Sequence, residues 1–104
     1  MTAEEFRQIA LAMQEAVEGS HMGHADFRVR NKIFATLPNE TSGMVSLTPE
    51  MQQKFVRDDP ETFVPVNGAW GRNGATYVRL ATAGKAIVRR AMMSAWRKNA
   101  PKSM

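Results

Sequence analysis

The chain has 104 residues, 43% of them hydrophobic, and no cysteine, which indicates one domain over residues 1–104 and excludes a disulfide scaffold, a thiolate zinc site and a cysteine nucleophile. The formal net charge of +4 is unevenly distributed: residues 1–61 hold six Lys or Arg and all ten acids, whereas residues 62–104 hold eight Lys or Arg and no acid. A basic segment of this kind favours a polyanionic partner such as nucleic acid, although an ordinary soluble domain with an asymmetric surface has the same composition.

The first predicted element is a helix over Ala3–Val17. Thr2 and Glu5 have the spacing of a capping box, in which each side chain accepts a hydrogen bond from the other residue's backbone N–H. Gly19 is expected to lie just beyond the end of the helix. Five apolar residues recur at helical spacing and predict its buried face: Phe6, Ile9, Ala10, Met13 and Val17.

Apolar and polar residues then alternate along Phe27–Leu37, which predicts two strands of a hairpin. The turn is predicted at Arg30-Asn31, because asparagine tolerates the positive φ that a tight hairpin turn requires. A third short strand is predicted at Met44–Leu47.

A second helix is predicted over Pro49–Arg57, because Thr48 is a good N-cap and proline suits the first helical position. The segment after it has β-rich ends and a middle rich in Gly and Asn. It predicts a second hairpin, with the turn at or near Asn73-Gly74 and the outgoing strand at Thr76–Leu80.

The last helix is predicted over Gly84–Lys98, with Trp96 anchoring it on the sheet. The complete order is then α-β-β-β-α-β-β-α. This order predicts an α+β fold, a single antiparallel-rich β-sheet with helices packed on one face. The helix and the residues after it carry six positive charges and no acid: Lys85, Arg89, Arg90, Arg97, Lys98 and Lys102.

Four segments, taken in order, resemble the bacterial MmcQ/YjbR family: GHADFRVRNKIFATL, SLTPEMQQKFV, DPETFVPVNGAWGRNGATYVRLA and SAWRKNAPK. They cover most of the chain between Gly23 and Lys102. The resemblance implies a small cytoplasmic protein whose fold is related to CyaY-like and secretion-chaperone-like domains. It also implies a DNA-binding protein with a double-wing arrangement. Ala25 stands where the family often has proline and Asn31 where it often has glycine, and a hairpin tolerates both.

His21 and His24, with Asp26 and Glu18 nearby, are candidate metal ligands, since zinc is bound by histidine and carboxylate side chains. A His–Asp pair serving a nucleophile is a second interpretation, although no oxyanion loop or nucleophile elbow is visible. The favoured interpretation is structural, with His24 forming a hydrogen bond across the start of the strand. We therefore expect no metal, no cofactor and no enzymatic activity.

The first hairpin presents Arg28, Arg30 and Lys32. These side chains form either a wing suited to phosphate contacts or the solvated side of an antiparallel sheet. Arg28 also has an ion-pair partner within reach, because Asp26 is its neighbour on the same strand face.

The second hairpin presents Trp70, Arg72 and Asn73. An exposed Trp70 would stack on a base or reach a groove, whereas a buried Trp70 would fill the core beneath the loop. The glycine spacing over residues 68–74 resembles a phosphate-binding loop only superficially, because this segment is not expected to open a helix.

The leading functional prediction is a non-enzymatic module that binds mainly the phosphate backbone of double-stranded DNA. The alternative is a protein-interaction domain with a chaperone-like fold and another protein as its partner. The acidic N-terminal segment lacks the apolar stretch of a signal peptide and no run is long enough to span a bilayer, so we expect a cytoplasmic protein without a membrane partner. The predicted nucleic-acid-binding residues are Arg28, Arg30, Lys32, Trp70, Arg72, Asn73, Arg79, Arg89, Arg90 and Arg97.

Overall fold

The computed structural model describes all residues from Met1 to Met104 and contains one six-stranded sheet and four helices. The elements in chain order are α1 (Ala3–Leu11), β1 (Val17–His21), β2 (His24–Val29), β3 (Lys32–Leu37), β4 (Ser42–Ser46), α2 (Pro49–Asp58), β5 (Phe63–Pro65), α3 (Gly68–Arg72), β6 (Ala75–Arg79) and α4 (Lys85–Asn99). The strand order is β1-β2-β3-β4-β6-β5, and all neighbouring strands are antiparallel. The predicted α+β fold class is confirmed, with one strand and one helix more than expected. None of the four helices combines the length and the hydrophobicity that a membrane-spanning helix requires.

One face of the sheet carries the hydrophobic core. Phe27, Val45 and Val78 are fully buried there and pack with apolar side chains of α1, α2 and α4, among them Phe6 and Met92. Because side chains alternate along a strand, the residues between these positions face the other side of the sheet. This other side is called the open face below.

Helix α1 ends at Leu11, so the prediction that it continues to Val17 was wrong. Glu15 has a φ of +57°, a left-handed conformation that a right-handed helix does not accommodate. Val17 instead begins β1, where it lies opposite Arg28 of β2. The spacing of Met13 and Val17 fits a helix equally well, and local periodicity does not reveal a strand partner that satisfies the backbone of residues 17–21.

The predicted caps and the first turn are confirmed. Thr2 and Glu5 form the capping box of α1. The β2–β3 turn has φ angles of +49° at Arg30 and +68° at Asn31. Thr48 accepts a hydrogen bond from the third residue of α2, with the threonine oxygen 3.2 Å from the nitrogen. Short polar side chains at the predicted positions therefore set the boundaries of these elements.

The second hairpin pairs as predicted, since β5 and β6 are antiparallel neighbours, but its connection is not a tight turn. Residues 68–72 form α3, Asn73 is its C-cap, and Gly74 follows with a φ of +110°. The prediction that this glycine-rich segment does not open a helix was therefore wrong. Its position depends on a distant residue, because the buried Gln52 amide of α2 donates to the Gly71 carbonyl at 2.9 Å.

Helix α4 is within one residue of its predicted bounds and contacts β3, β4 and α1. The Trp96 Nε1 donates to the Gln14 carbonyl at 2.9 Å, which joins α4 to the α1–β1 connection. The buried side chains of α4 are Val88, Ala91, Met92 and Ala95, which recur at helical spacing.

Candidate functional site

The exposed side of α4 is basic, and its three arginines lack carboxylate partners. Arg89, Arg90 and Arg97 are exposed, and none of them forms an ion pair. They surround the exposed side chain of Met93, because residues three, four and seven apart share one side of a helix. These four residues define the arginine face of α4.

The arginines of the first hairpin differ from those of α4, because each forms an ion pair with an acid from the same half of the chain. The Arg28 Nε donates to Asp26 at 2.7 Å, as the sequence allowed. The Arg30 Nε donates to Glu15 at 2.7 Å, and this hydrogen bond holds the pKa of Glu15 below its ordinary value. Lys32 alone is exposed without a carboxylate partner on this hairpin.

Only one basic side chain after position 61 pairs with a carboxylate. Lys85 lies 2.8 Å from Glu5, and hydrogen bonds from Lys85 and from the Thr2 backbone lower the pKa of Glu5 to about 2. Arg72 at the end of α3 and Arg79 at the end of β6 are exposed and form no ion pair. The basic half of the chain therefore presents its charge to solvent.

Lys98 is a structural exception among these cations. Its ammonium group donates to the Leu47 carbonyl at 2.7 Å and to the Asn73 carbonyl at 3.3 Å. Burial lowers the pKa of Lys98. This lysine ties the end of α4 to the β4–α2 connection and to the end of α3.

The predicted binding residues do not form one continuous set. The arginine face of α4 lies on the core side of the sheet, pointing away from it. The open face and its margins carry a second group: Arg28, Trp70, Asn73 and Arg79. Arg30 and Lys32 lie at the β2–β3 turn and Arg72 ends α3. Arg89, Arg90 and Arg97 are the largest group that the structure places on one element.

A groove of about 550 Å³ lies on the open face. Its floor is formed by Ile33, Met44 and Tyr77, and its walls by the β1–β2 turn at Met22 and by α3 at Trp70. The sequence left two alternatives for Trp70, an exposed ring or a core side chain. Trp70 is 77% exposed, so its ring is not part of the core. We call this feature the open-face groove. Nothing in the local sequence indicated it, because its two walls are far apart along the chain.

Beside the groove, Asp26 is fully buried although it lies on the open face. Arg28 donates to both of its carboxylate oxygens, at 2.7 and 3.0 Å. The His21 Nδ1 lies 2.7 Å from the second oxygen. These contacts satisfy the buried charge, and the hydrogen bond from Arg28 is the main reason that the pKa of Asp26 lies below its ordinary value.

The structure changes the roles assigned to the histidines. His21, and not His24 as predicted, forms the hydrogen bond that ties the β1–β2 hairpin. Glu18, a candidate metal ligand, instead lies 2.6 Å from the Arg7 Nε. No three His, Asp or Glu side chains are arranged to hold a metal ion.

Replacing Asp26 with asparagine is expected to lower the free energy of unfolding by about 1.5 kcal/mol near pH 7, because a neutral amide accepts weaker hydrogen bonds from Arg28. The folded-state pKa of Asp26 is lowered, so its contribution to stability is present above the unfolded-state value of about 3.9 and is lost as the pH falls through the folded-state value. Urea unfolding at a series of pH values should therefore show the two proteins converging in acid.

Glu40→Gln is the matched control, because Glu40 is exposed and unpaired. We expect it to leave the unfolding free energy nearly unchanged. A difference between wild type and Asp26→Asn that stays constant down to about pH 2 would show that the carboxylate charge does not stabilise the fold.

Comparisons with known proteins agree with the resemblance in the sequence. A family model described as YjbR matches residues 11–98. The comparison with curated proteins gave no match, and the comparison with solved structures also gave none. The matched region runs from the end of α1 to Lys98 and includes both the open-face groove and the arginine face of α4. Because the match covers most of its length, the chain belongs to the YjbR family.

Proposed function

We propose that this protein is a non-catalytic module that binds the phosphate backbone of double-stranded DNA through the arginine face of α4. The observation that carries the proposal is the uncompensated charge of Arg89, Arg90 and Arg97 on one exposed helix side. Guanidinium groups stay charged at all physiological pH values and donate paired hydrogen bonds to phosphate.

Two of these three arginines occupy positions along α4 that have no other structural explanation. Positive charge in the last turn of a helix interacts favourably with the helix dipole, which accounts for Arg97. Arg89 and Arg90 lie in the first half of the helix, where that interaction is absent. Their exposure on a helix without acids supports a role in binding a polyanion.

Backbone contact also fits the spacing of the arginines. With a rise of about 1.5 Å per residue, Arg90 and Arg97 are separated by about 10 Å along the helix axis. The core packing of Val88 and Met92 keeps the opposite side of α4 against the sheet. A helix held in this way can lie along a phosphate backbone, so we expect binding with little preference for sequence.

Removing two of the three arginines tests the proposal. We expect Arg89→Ala combined with Arg90→Ala to weaken binding to a labelled random-sequence duplex roughly tenfold, measured by fluorescence anisotropy at about 50 mM salt. Both side chains are exposed, so the fold should be unaffected.

Lys54→Ala combined with Arg57→Ala is the matched control on α2, because it removes two exposed, unpaired cations and the same net charge. This pair should change binding by less than about threefold. Equal losses in both pairs would mean that overall charge, not the arginine face of α4, attracts DNA. No binding by the wild-type protein would favour the alternative, a protein-interaction domain.

A further inference from the structure

The open-face groove has the size and shape of a small-molecule site. Its volume of about 550 Å³ lies within the range of about 300–1,000 Å³ that is typical of such sites. The wall at Met22 and the wall at Trp70 stand on opposite sides of the floor formed by β3, β4 and β6. This concave shape favours a compact ligand over the flat surface of a folded partner.

Large apolar side chains line the groove without a partner. Met22 is 90% exposed and Trp70 is 77% exposed, although side chains of this kind are usually well covered. Met44 and Tyr77 extend the same apolar surface along the floor. Aromatic rings stack on Trp and Tyr and contact methionine sulfur favourably, so the lining suits a flat aromatic body.

The charge around the groove is complementary to an anion. No Asp or Glu side chain lines it. Lys98 lies at one end, and its ammonium group has only neutral hydrogen-bond partners. His21 and His24 lie at the other end, where the nearby carboxylate of Asp26 is buried and bound by Arg28. A negative group in the groove therefore meets cationic and hydrogen-bonding side chains and no acid.

His21 is oriented by the contacts beneath it. Its Nδ1 lies 2.7 Å from the buried Asp26 carboxylate, which leaves Nε2 for a ligand. A carboxylate behind a histidine is a common means of fixing the ring and its tautomer. Strand β1 leaves room for the Asp26 carboxylate only because residue 19, which lies opposite Asp26, is glycine. A Cβ there would lie 2.9 Å from Asp26 Oδ1.

We propose that the open-face groove binds a small aromatic anion, with its ring against Trp70 and Tyr77 and its anionic group at His21 and His24. This site is separate from the arginine face of α4, which lies on the other side of the sheet. Occupation of the groove therefore does not depend on DNA binding, and the two proposals fail independently.

Two fluorescent probes that differ only in the presence of a sulfonate group test this proposal. Anilinonaphthalene sulfonate is an aromatic anion, and phenylnaphthylamine is the same ring system without the sulfonate. We expect the sulfonate to bind the folded protein with one site and about tenfold more tightly than the neutral probe. Competition by naphthoate, an aromatic carboxylate, should displace the sulfonate probe.

Variants locate the site and separate its two chemical requirements. Trp70→Ala should weaken binding of both probes at least about fivefold, because it removes the stacking surface. His21→Gln keeps a donor toward Asp26 and removes the imidazole, so it should weaken binding of the sulfonate while leaving the neutral probe nearly unchanged. Arg89→Ala combined with Arg90→Ala should leave both probes unaffected.

Met93→Ala is the control for unspecific apolar binding, because Met93 is an exposed methionine outside the groove. It should change neither probe. Equal affinity for both probes, or unchanged sulfonate binding in Trp70→Ala and His21→Gln, would overturn the proposal. Near-ultraviolet circular dichroism of each variant establishes that the probes report on the folded protein and not on a molten state.

Discussion

Replacing Gly71 with alanine is expected to lower the free energy of unfolding by about 3 kcal/mol or more. A Cβ at this position would lie 1.5 Å from the Val66 carbonyl oxygen and 2.6 Å from the Val66 carbonyl carbon. Both atoms belong to the backbone, so α3 would have to move away from the segment that follows β5. Urea unfolding measures the loss directly.

Gly84→Ala is the matched control for this substitution. A Cβ at Gly84 meets nothing within 4 Å, and Gly84 precedes α4 as its N-cap. Its loss should stay below about 1 kcal/mol. If Gly71→Ala also loses less than about 1 kcal/mol of unfolding free energy, α3 does not approach Val66 this closely. The wall of the open-face groove at Trp70 would then be wrong as well.

Gln52→Glu is expected to destabilise the protein by about 3 kcal/mol near pH 7, although the two side chains have nearly the same shape. The buried Gln52 amide nitrogen donates to the Gly71 carbonyl at 2.9 Å and to the Ala75 carbonyl at 3.0 Å. A carboxylate has no proton to donate, so its charge would face two carbonyl oxygens in a buried site. The amide thus holds the end of α3 and the start of β6 against α2.

The pH dependence of Gln52→Glu separates the missing donor from a packing defect. Burial among acceptors would raise the folded-state pKa of the new carboxyl above its ordinary value of about 4.3. The variant should therefore recover stability relative to wild type as the pH falls from this raised folded-state pKa towards about 4.3, the range in which the acid becomes a donor in the folded protein. Unfolding midpoints in urea at several pH values would show this recovery.

Gln53→Glu serves as its control, because Gln53 is the exposed neighbour on the same helix. The same change of charge at that position should shift the unfolding free energy by less than about 0.5 kcal/mol. Similar effects at positions 52 and 53 would mean that charge on α2, and not the buried amide donor, determines stability.

The elements that the sequence predicted correctly are those with local signals. Thr48 and Pro49 define the start of α2, and Arg30-Asn31 defines the β2–β3 turn. Each signal acts within a few residues, so the pattern contains the information. The overall α+β class follows from the same local elements.

The errors occur where distant contacts decide the structure. Residues 17–21 become a strand because β2 lies beside them, and Gly68–Arg72 becomes a helix because Gln52 lies beneath its end. Asn73-Gly74 has the composition of a tight turn, and Gly74 does have a positive φ. The same two residues end a short helix equally well, so composition did not distinguish the two structures.

The candidate sites were only partly visible in the sequence. The cations of α4 were evident from the missing acids, and the Arg28–Asp26 pair followed from strand alternation. The Arg30–Glu15 pair was not evident, because it requires the left-handed Glu15 between α1 and β1. Tertiary structure thus decides which arginines lack an acidic partner: those of the last helix lack one, whereas those of the first hairpin do not.

The same limit applies to the open-face groove. Met22 and Trp70 line opposite walls, although 47 positions separate them in the chain. Sequence alternation placed Tyr77 and Met44 on strands, but it did not show that they are neighbours across the β4–β6 pair. A groove lined by residues from five strands and from α3 and α4 has no local pattern in the sequence.

The salt dependence of DNA binding shows directly whether the arginine face of α4 contacts phosphate groups. If Arg89, Arg90 and Arg97 each contact a phosphate, the logarithm of the association constant should fall with the logarithm of salt concentration with a slope of roughly −3. The Arg89→Ala and Arg90→Ala double variant should reduce this slope by about 2. Binding that is insensitive to salt, or a slope that the double variant leaves unchanged, would contradict DNA binding by the arginine face of α4.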